Sequence, residues 1–534
     1  MALLLHNGRF YTLRKEAEWV EALVVADGRI AALGTARDLA REFPRAEAVD
    51  LGGRTVTPGL TDSHLHLLAY GQTLTQLELK GVTSLRELVA RVRARAATLA
   101  PGEWLLGRGW DQDRFAEGRY PNRWDLDAVA PDNPVFLRRA CGHAAVANTR
   151  ALELAGLSRE TADPPGGRLD RDPATGELTG VLRETAQELV TAHIPEPTPE
   201  ELARALRAAV RKAWQAGITA VHTHDVWSEG EFGTVWELYA AVIGTEGDRM
   251  PLRVYLDVGL QALAEVQAAG LVTGEGHEYL RLGAIKLFAD GSLGASTAAL
   301  YADYADEPGN RGVLIWPEAE LTAGIRRAHA AGMQVAVHAI GDRAVGLALE
   351  GIAAALDASP RPGHRHRVIH CQVLTTELIR RLAELEVVAD IQPRFVATDM
   401  LWAEQRLGKE RVRLAYAWRS LLAQGVRLAC GSDAPVEPIE PALGIHAAVT
   451  RQDEQGRPPA GWLPEQRLTV YETLRAFALG GAYADFSDQE RGTLEVGKQA
   501  DLVVFDRDPF AVPPAELKEL GVELTMVGGQ VVYS

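Results

Sequence analysis

Lysine is scarce in this chain: only seven of its 56 basic residues are lysines, and the rest are arginines. Cysteine is scarcer still, with three in 534 residues. So few thiols make no disulfide framework and suit a reducing compartment, so the expected location is cytoplasmic. No run reaches the ~18–20 apolar residues of a membrane span. The opening MALLL passes at once into His6, Asn7 and Gly8, without the basic start and apolar core of a signal peptide. Basic patches are missing too. With a formal charge of −16 the chain has no electrostatic footprint for nucleic acid or an anionic membrane, and its dispersed acidic residues point to solubility. What is present is a 47% apolar chain, long enough to bury a sizeable core. Its expected partner is a small-molecule substrate, with self-association as a homo-oligomer left open.

Both ends have a strand-and-turn texture. Residues 1–57 hold short β-branched runs broken by turn residues such as the Asp27-Gly28 pair, and residues 493–534 repeat the pattern in LVVFDRDP and MVGGQVVYS. The two ends are expected to combine in one small β domain. Between them, β-branched runs alternate with Ala/Leu/Arg/Glu-rich helical stretches, the alternation of a parallel sheet with helices outside it. Eight strand candidates follow Gly53, in RTVTPGLTDSHLH, ITAVHTHD, LRVYLDVG, RLGAIKLFAD, QVAVHAIGD, RVIHCQ, VVADIQP and RLACGSDAP. Eight is the number a TIM (β/α)8 barrel requires. The expected fold class is therefore α/β, a barrel over 58–492. The first two strands lie about 150 residues apart, far beyond an ordinary βα unit, so an inserted subdomain is expected over about 72–205. Its DPPGGRLDRDPATGELTGVL segment reads as a hairpin or flap beside the barrel mouth.

In such a barrel, catalysis gathers at the C-terminal ends of the strands. The first ends in His64 and His66, two apart and so on one side of an extended segment. The fourth carries Lys286, the fifth ends at His338, the sixth at His370, and the eighth runs into Asp433. Alternation places Ala336 with His338, and Val368 with His370, on the inward face, leaving Val337 and Ile369 toward the helices. Several imidazoles and a carboxylate suit a hydrolytic divalent metal, with Zn²⁺ expected, as one ion or two. Cys371 and Cys430 are expected to be small buried thiols of the barrel wall.

Lys286 is the anomaly, a cation in an apolar strand. A desolvated lysine becomes a neutral amine, which adds CO₂ to give a carbamate, an anionic ligand with two oxygens. A carbamate bridges two metals, one held by His64, His66 and Asp433 and the other by His338 and His370. Ordinary pairing of Lys286 with an acid such as Asp290 is the alternative. Two further histidine pairs stand apart. His364 and His366 precede their strand and read as a solvated basic turn. His222 and His224, at the end of the second strand, fit metal support, substrate contact or satisfied polar groups equally well.

The segments PGLTDSHLHL, GRGWDQDRF, CGHAAVANTRAL, KLFADGSLGAST, VHAIGDRA, VIHCQ, QPRF, GSDAPVEP and GKQADLVVFDRDP together resemble the amidohydrolase superfamily, and within it the YtcJ-like branch that includes N-substituted formamide deformylases. The resemblance covers nearly the whole chain. It implies a TIM barrel with a composite β-sandwich from both termini and a one- or two-metal site on His64, His66, Lys286, His338, His370 and Asp433. It also implies hydrolysis of a non-peptide C–N bond, with Asp433 as general base and then acid. His143, Trp110 and His224 are candidate substrate contacts, and 301–316 a candidate lid. A deaminase, esterase or lactonase of the same fold, or a metal-binding regulatory protein without turnover, are the alternatives.

Overall fold

The computed structural model describes residues 2–140 and 143–534. Cys141 and Gly142, part of the CGH segment, lie outside the described residues. The chain folds as two compact units, residues 1–70 with 209–534, and residues 71–208.

The first unit holds the barrel. Its strands are β1 (Leu60–Leu65), β2 (Ile218–Val226), β3 (Arg253–Gly259), β4 (Leu280–Phe288), β5 (Val335–Ala339), β6 (Arg367–His370), β7 (Val388–Ile391) and β8 (Leu428–Cys430). They are the eight expected from the sequence, and each pairs in parallel with the next. Nearly every position along them is buried, as in a sheet covered on both faces. β8 and β1 close the ring through their outgoing ends: the Asp433 N–H donates to the His64 carbonyl (2.7 Å) and the His66 N–H to that of Ala434 (2.8 Å). This seam has no room for a side chain at Gly431. A Cβ there would lie 2.5 Å from the His64 nitrogen and 2.8 Å from its carbonyl oxygen. Gly431→Ala must therefore push β1 and β8 apart, and it is expected to lower stability by about 1–3 kcal/mol, the usual cost of overpacking. A denaturant midpoint equal to that of the unmodified protein would contradict this.

Beneath the strand ends the barrel encloses charge. Arg367, fully buried, is paired with Asp257 and Asp390 and donates to the Ser63 carbonyl and to Nδ1 of His222. Ser63 Oγ in turn donates to Asp390 (2.6 Å), and the Ala284 N–H to Asp257 (2.7 Å). Each buried charge thus has partners, which makes its burial tolerable.

One inward face differs from the alternation expected on β6. Ile369 packs inside with Ala284 and Ala336, and Arg367 also points inside, so Val368 takes the opposite face. Strict alternation would send His370 outward with Val368. His370 instead has φ +81° and Cys371 φ +48°, a left-handed break that ends the pleat and swings the imidazole back over the barrel.

The terminal strands form two sheets. One runs Arg29–Gly34, Ala22–Ala26, Ala2–His6, Glu47–Asp50. The other runs Gln530–Tyr533, Val522–Val527, Leu502–Phe505, Thr55–Pro58, Arg9–Tyr11, Trp19–Val20. Leu5, Phe10, Leu23, Val56, Leu502 and Met526 share one apolar core between them, so both ends of the chain contribute to a single sandwich. The unit at 71–208 has its own six-stranded sheet and its own core around Leu88, Leu105, Trp110, Leu126 and Leu137. Gly167–Arg171 and Leu178–Glu184 form the antiparallel hairpin expected in this segment.

Candidate metal centre

The ends of β1, β4, β5, β6 and β8 bring His64, His66, Lys286, His338, His370 and Asp433 around one point. Ligand atoms of His64, His370 and Asp433 lie within 4.8 Å of one another. Nε2 of His64 and Nε2 of His66 are each 3.5 Å from Asp433 Oδ1. Nε2 of His64 is also 3.5 Å from Lys286 Nζ. Nε2 of His370 is 2.9 Å from Nδ1 of His338.

Hydrogen bonds on the outer side of each ring decide which nitrogen carries the proton. His66 Nδ1 donates to the His224 carbonyl (2.7 Å), leaving Nε2 as a lone pair facing a carboxylate. His338 Nε2 donates to the Gly291 carbonyl (3.0 Å), leaving Nδ1 as a lone pair. His370 Nδ1 donates to Gln392 Oε1 (2.7 Å), whose amide is oriented by its own bond to the Asp390 carbonyl, and this leaves Nε2 as a lone pair. Two acceptor pairs therefore face each other, His66 with Asp433 and His338 with His370. At His338 and His370, acceptors this close repel unless a cation lies between them, so with the Asp433 carboxylate alongside the donor set fits a divalent metal of the kind that takes imidazole and carboxylate. Burial holds His338 and His64 neutral as ligation requires: with the Lys286 charge as a further cause, it pushes His338 down to about 3 and His64 well below the ordinary histidine range. Burial pushes His370 well below it too, with His338 and Lys286 adding to the effect. In His66 burial acts the same way, but the Asp433 carboxylate outweighs it and the net shift is upward.

Lys286 is buried and makes no ion pair within 4 Å among the described residues. Burial pushes it down to about 8. Its ammonium group lies 4.7 Å from the centre of the Phe288 ring. Asp290, the partner offered by the sequence, is committed elsewhere: it accepts backbone N–H bonds from Ala299, Ile340 and Gly341.

The other sequence candidates separate clearly. His224 is buried at the edge of this cluster, in contact with Trp227 and Phe288. His222 sits lower, between Arg367 and Asp485, as part of the charge network. His364 and His366 are not a solvated turn. Both are buried, and with His329 they form a closed neutral chain: His366 Nε2 donates to His329 Nδ1 (2.8 Å), His329 Nε2 to the Ser359 carbonyl (2.7 Å), and His364 Nε2 to the Leu385 carbonyl (2.8 Å). A neutral imidazole has one donor and one acceptor, and here two backbone carbonyls and the His329 ring take up the donors, so burial needs no water. Cys371 and Cys430 are buried and free, as expected.

Trp110 and His143 lie in the unit at 71–208. Trp110 has no exposed surface, and its indole N–H donates to the Leu137 carbonyl (2.8 Å), so it is a packing residue and not a substrate wall. His143 is exposed and pairs with Glu184 (2.9 Å), beside a cavity of about 400 Å³ lined also by Tyr120, Arg139 and Arg183. Gln392 escaped the sequence reading, although it stands just past β7 in the position that marks the other candidates. So did Asp62, which accepts from Ser432 N–H and Oγ and so fixes the loop carrying Asp433.

A family model described as "Amidohydrolase family" matches residues 47–533. "Putative amidohydrolase YtcJ" of Bacillus subtilis is 38% identical over all of this chain and 99% of its own length. "N-substituted formamide deformylase" of Arthrobacter pascens is 28% identical over 99% of this chain and 98% of its own. Among solved structures, an uncharacterized metal-dependent hydrolase from Pyrococcus furiosus aligns with TM-score 0.77 at 32% identity, covering 96% of this chain and 100% of that one.

Proposed function

Because this chain belongs to the amidohydrolase family, we propose that it hydrolyses a non-peptide C–N bond of the amide type with a divalent metal, expected to be Zn²⁺, held by His64, His66, His338, His370 and Asp433. The observation that carries this reading is the convergence of the His64 and His66 ring nitrogens on the Asp433 carboxylate beside the facing ring nitrogens of His338 and His370. The activity for which the formamide deformylase relative is named supports the bond class.

A bound divalent ion supplies Lewis acidity and lowers the pKa of water near neutral pH. Asp433 takes the proton of the attacking water and returns it to the departing amine nitrogen, first base and then acid. The His66, His338 and His370 rings are held in their tautomers by His224, Gly291 and Gln392, so the electron pairs face inward before substrate arrives. The neutral amine of Lys286 attacks CO₂, the N–C bond forms, and one proton leaves to solvent. The resulting carbamate would supply two anionic oxygens to a metal held by the His64/His66/Asp433 and His338/His370 groups.

Metal-loaded protein is expected to turn over members of a panel of N-formyl and N-acyl amines. A strong chelator should abolish the activity and Zn²⁺ restore it. Absence of turnover with any divalent metal refutes the enzymatic reading, and turnover confined to esters or lactones refutes the C–N assignment.

A further inference from the structure

A cavity of about 460 Å³ adjoins the cluster on the side of β2, β3 and β4, and its wall includes His224, Trp227, Leu287, Phe288, Ile315 and Trp316. This volume suits a small-molecule group. Trp227 is stacked on His66 (ring centroids 5.2 Å apart, planes 23°) and on Phe288 (5.6 Å, 19°), which ties the wall directly to a candidate ligand. Lys286 is the one charged side chain on this wall among the described residues, and no carboxylate or arginine lies on it. With Lys286 as the carbamate proposed above, an anionic substrate arm would lose its water here and meet a like charge.

His224 supplies the second, independent observation. Its side chain is 1% exposed and lines the cavity, and neither ring nitrogen has a hydrogen bond of ordinary distance and angle, with the Val226 backbone as a polar neighbour. Its backbone carbonyl holds His66, so the ring is free for another task. A buried imidazole without a partner is costly, and a ligand group that meets it recovers that cost.

We propose that this cavity is the subsite for an uncharged, flat apolar arm of the substrate, packed against the Trp227 and Phe288 rings and registered by one hydrogen bond to the His224 ring. The proposal rests on the hydrolytic reading above and names the substrate class: neutral amides bearing an aromatic group, in preference to N-acyl amino acids. Aromatic stacking supplies the grip and the single polar contact the orientation.

The test is calorimetric titration of the metal-loaded full chain with N-phenylacetamide and with N-acetylglycine. N-phenylacetamide is expected to bind at least about tenfold tighter than N-acetylglycine, a 1.4 kcal/mol difference per tenfold. Trp227→Ala should weaken it by about tenfold with metal content unchanged. His224→Phe should weaken it while His224→Gln, which keeps a donor, recovers part of the loss; thermal melts establish that each variant is folded. Equal or tighter binding of N-acetylglycine overturns the proposal, as does no binding of N-phenylacetamide at millimolar concentration or an unchanged affinity in Trp227→Ala. If amides bind with these preferences but none is hydrolysed, the subsite stands and the hydrolytic reading falls. If amides are hydrolysed without these preferences, the reverse holds.

Discussion

Asp433→Asn is expected to lower kcat/KM by about 10³-fold or more, close to 4 kcal/mol of transition-state stabilisation. The change removes the proton acceptor but keeps the size of the side chain and the Asp433 N–H bond to the His64 carbonyl, so the seam between β1 and β8 stays closed. It also leaves the Asp62 bonds to Ser432 untouched, and these fix the loop. The loss should therefore fall mainly on kcat. Metal content and melting temperature distinguish the outcomes: a folded variant that keeps its metal and loses turnover supports the proton-transfer role. A variant that retains full kcat removes Asp433 from the chemistry, and another base must then be sought.

Lys286→Met is expected to have the second largest effect, a loss of at least roughly 100-fold in kcat/KM together with a drop in bound metal, since even outer partners of ligands are worth 10- to 100-fold. Methionine fills the same apolar volume beside Phe288, which keeps packing out of the comparison. Burial makes the chemistry available: with Lys286 pushed down to about 8, about one amine in ten is neutral at pH 7, against roughly one in 2,500 for an ordinary lysine. Because it is the deprotonated form that reacts, carbamate formation at fixed dissolved CO₂ must increase as pH rises toward 8. A ¹³C carbamate resonance after loading with labelled bicarbonate, absent from Lys286→Met, is the direct readout. If the unmodified protein gives no such signal and the variant keeps all its metal, Lys286 acts as an amine.

Much of the barrel could be read from the chain because its strands are short apolar runs whose polar residues stand at one end. His64, His66, His338, His370 and Asp433 interrupt buried strands at matching ends, a repetition that packing alone does not produce. Two things resisted the same logic. Inward and outward faces were assigned from strict alternation, and the left-handed backbone at His370 breaks it, so Ile369 and Arg367 occupy the interior where Val368 was expected. Burial of polar residues was also misjudged wherever its compensation came from distant segments. His364 and His366 look solvated in sequence, yet their ring N–H partners come from Leu385 and from His329, which is itself held by Ser359. Trp110 failed for a related reason: its indole N–H is met by a neighbouring strand, which turns an apparent binding surface into core. Gln392 was missed because an amide is not itself a metal ligand; its effect passes through the ring it orients.

The sandwich made from both termini has a consequence for how the protein comes into being. Thr55–Pro58 lies between Arg9–Tyr11 and Leu502–Phe505. During synthesis one edge of that strand can be covered almost immediately, while the other stays bare until nearly the entire chain has left the ribosome. The opposite neighbour of β1, supplied by β8 and the loop to Ala434, arrives almost as late. The first barrel strand to be made is thus among the last to be enclosed, and a message or chain cut short before β8 yields a protein with two open β edges, the form most prone to join with others of its kind.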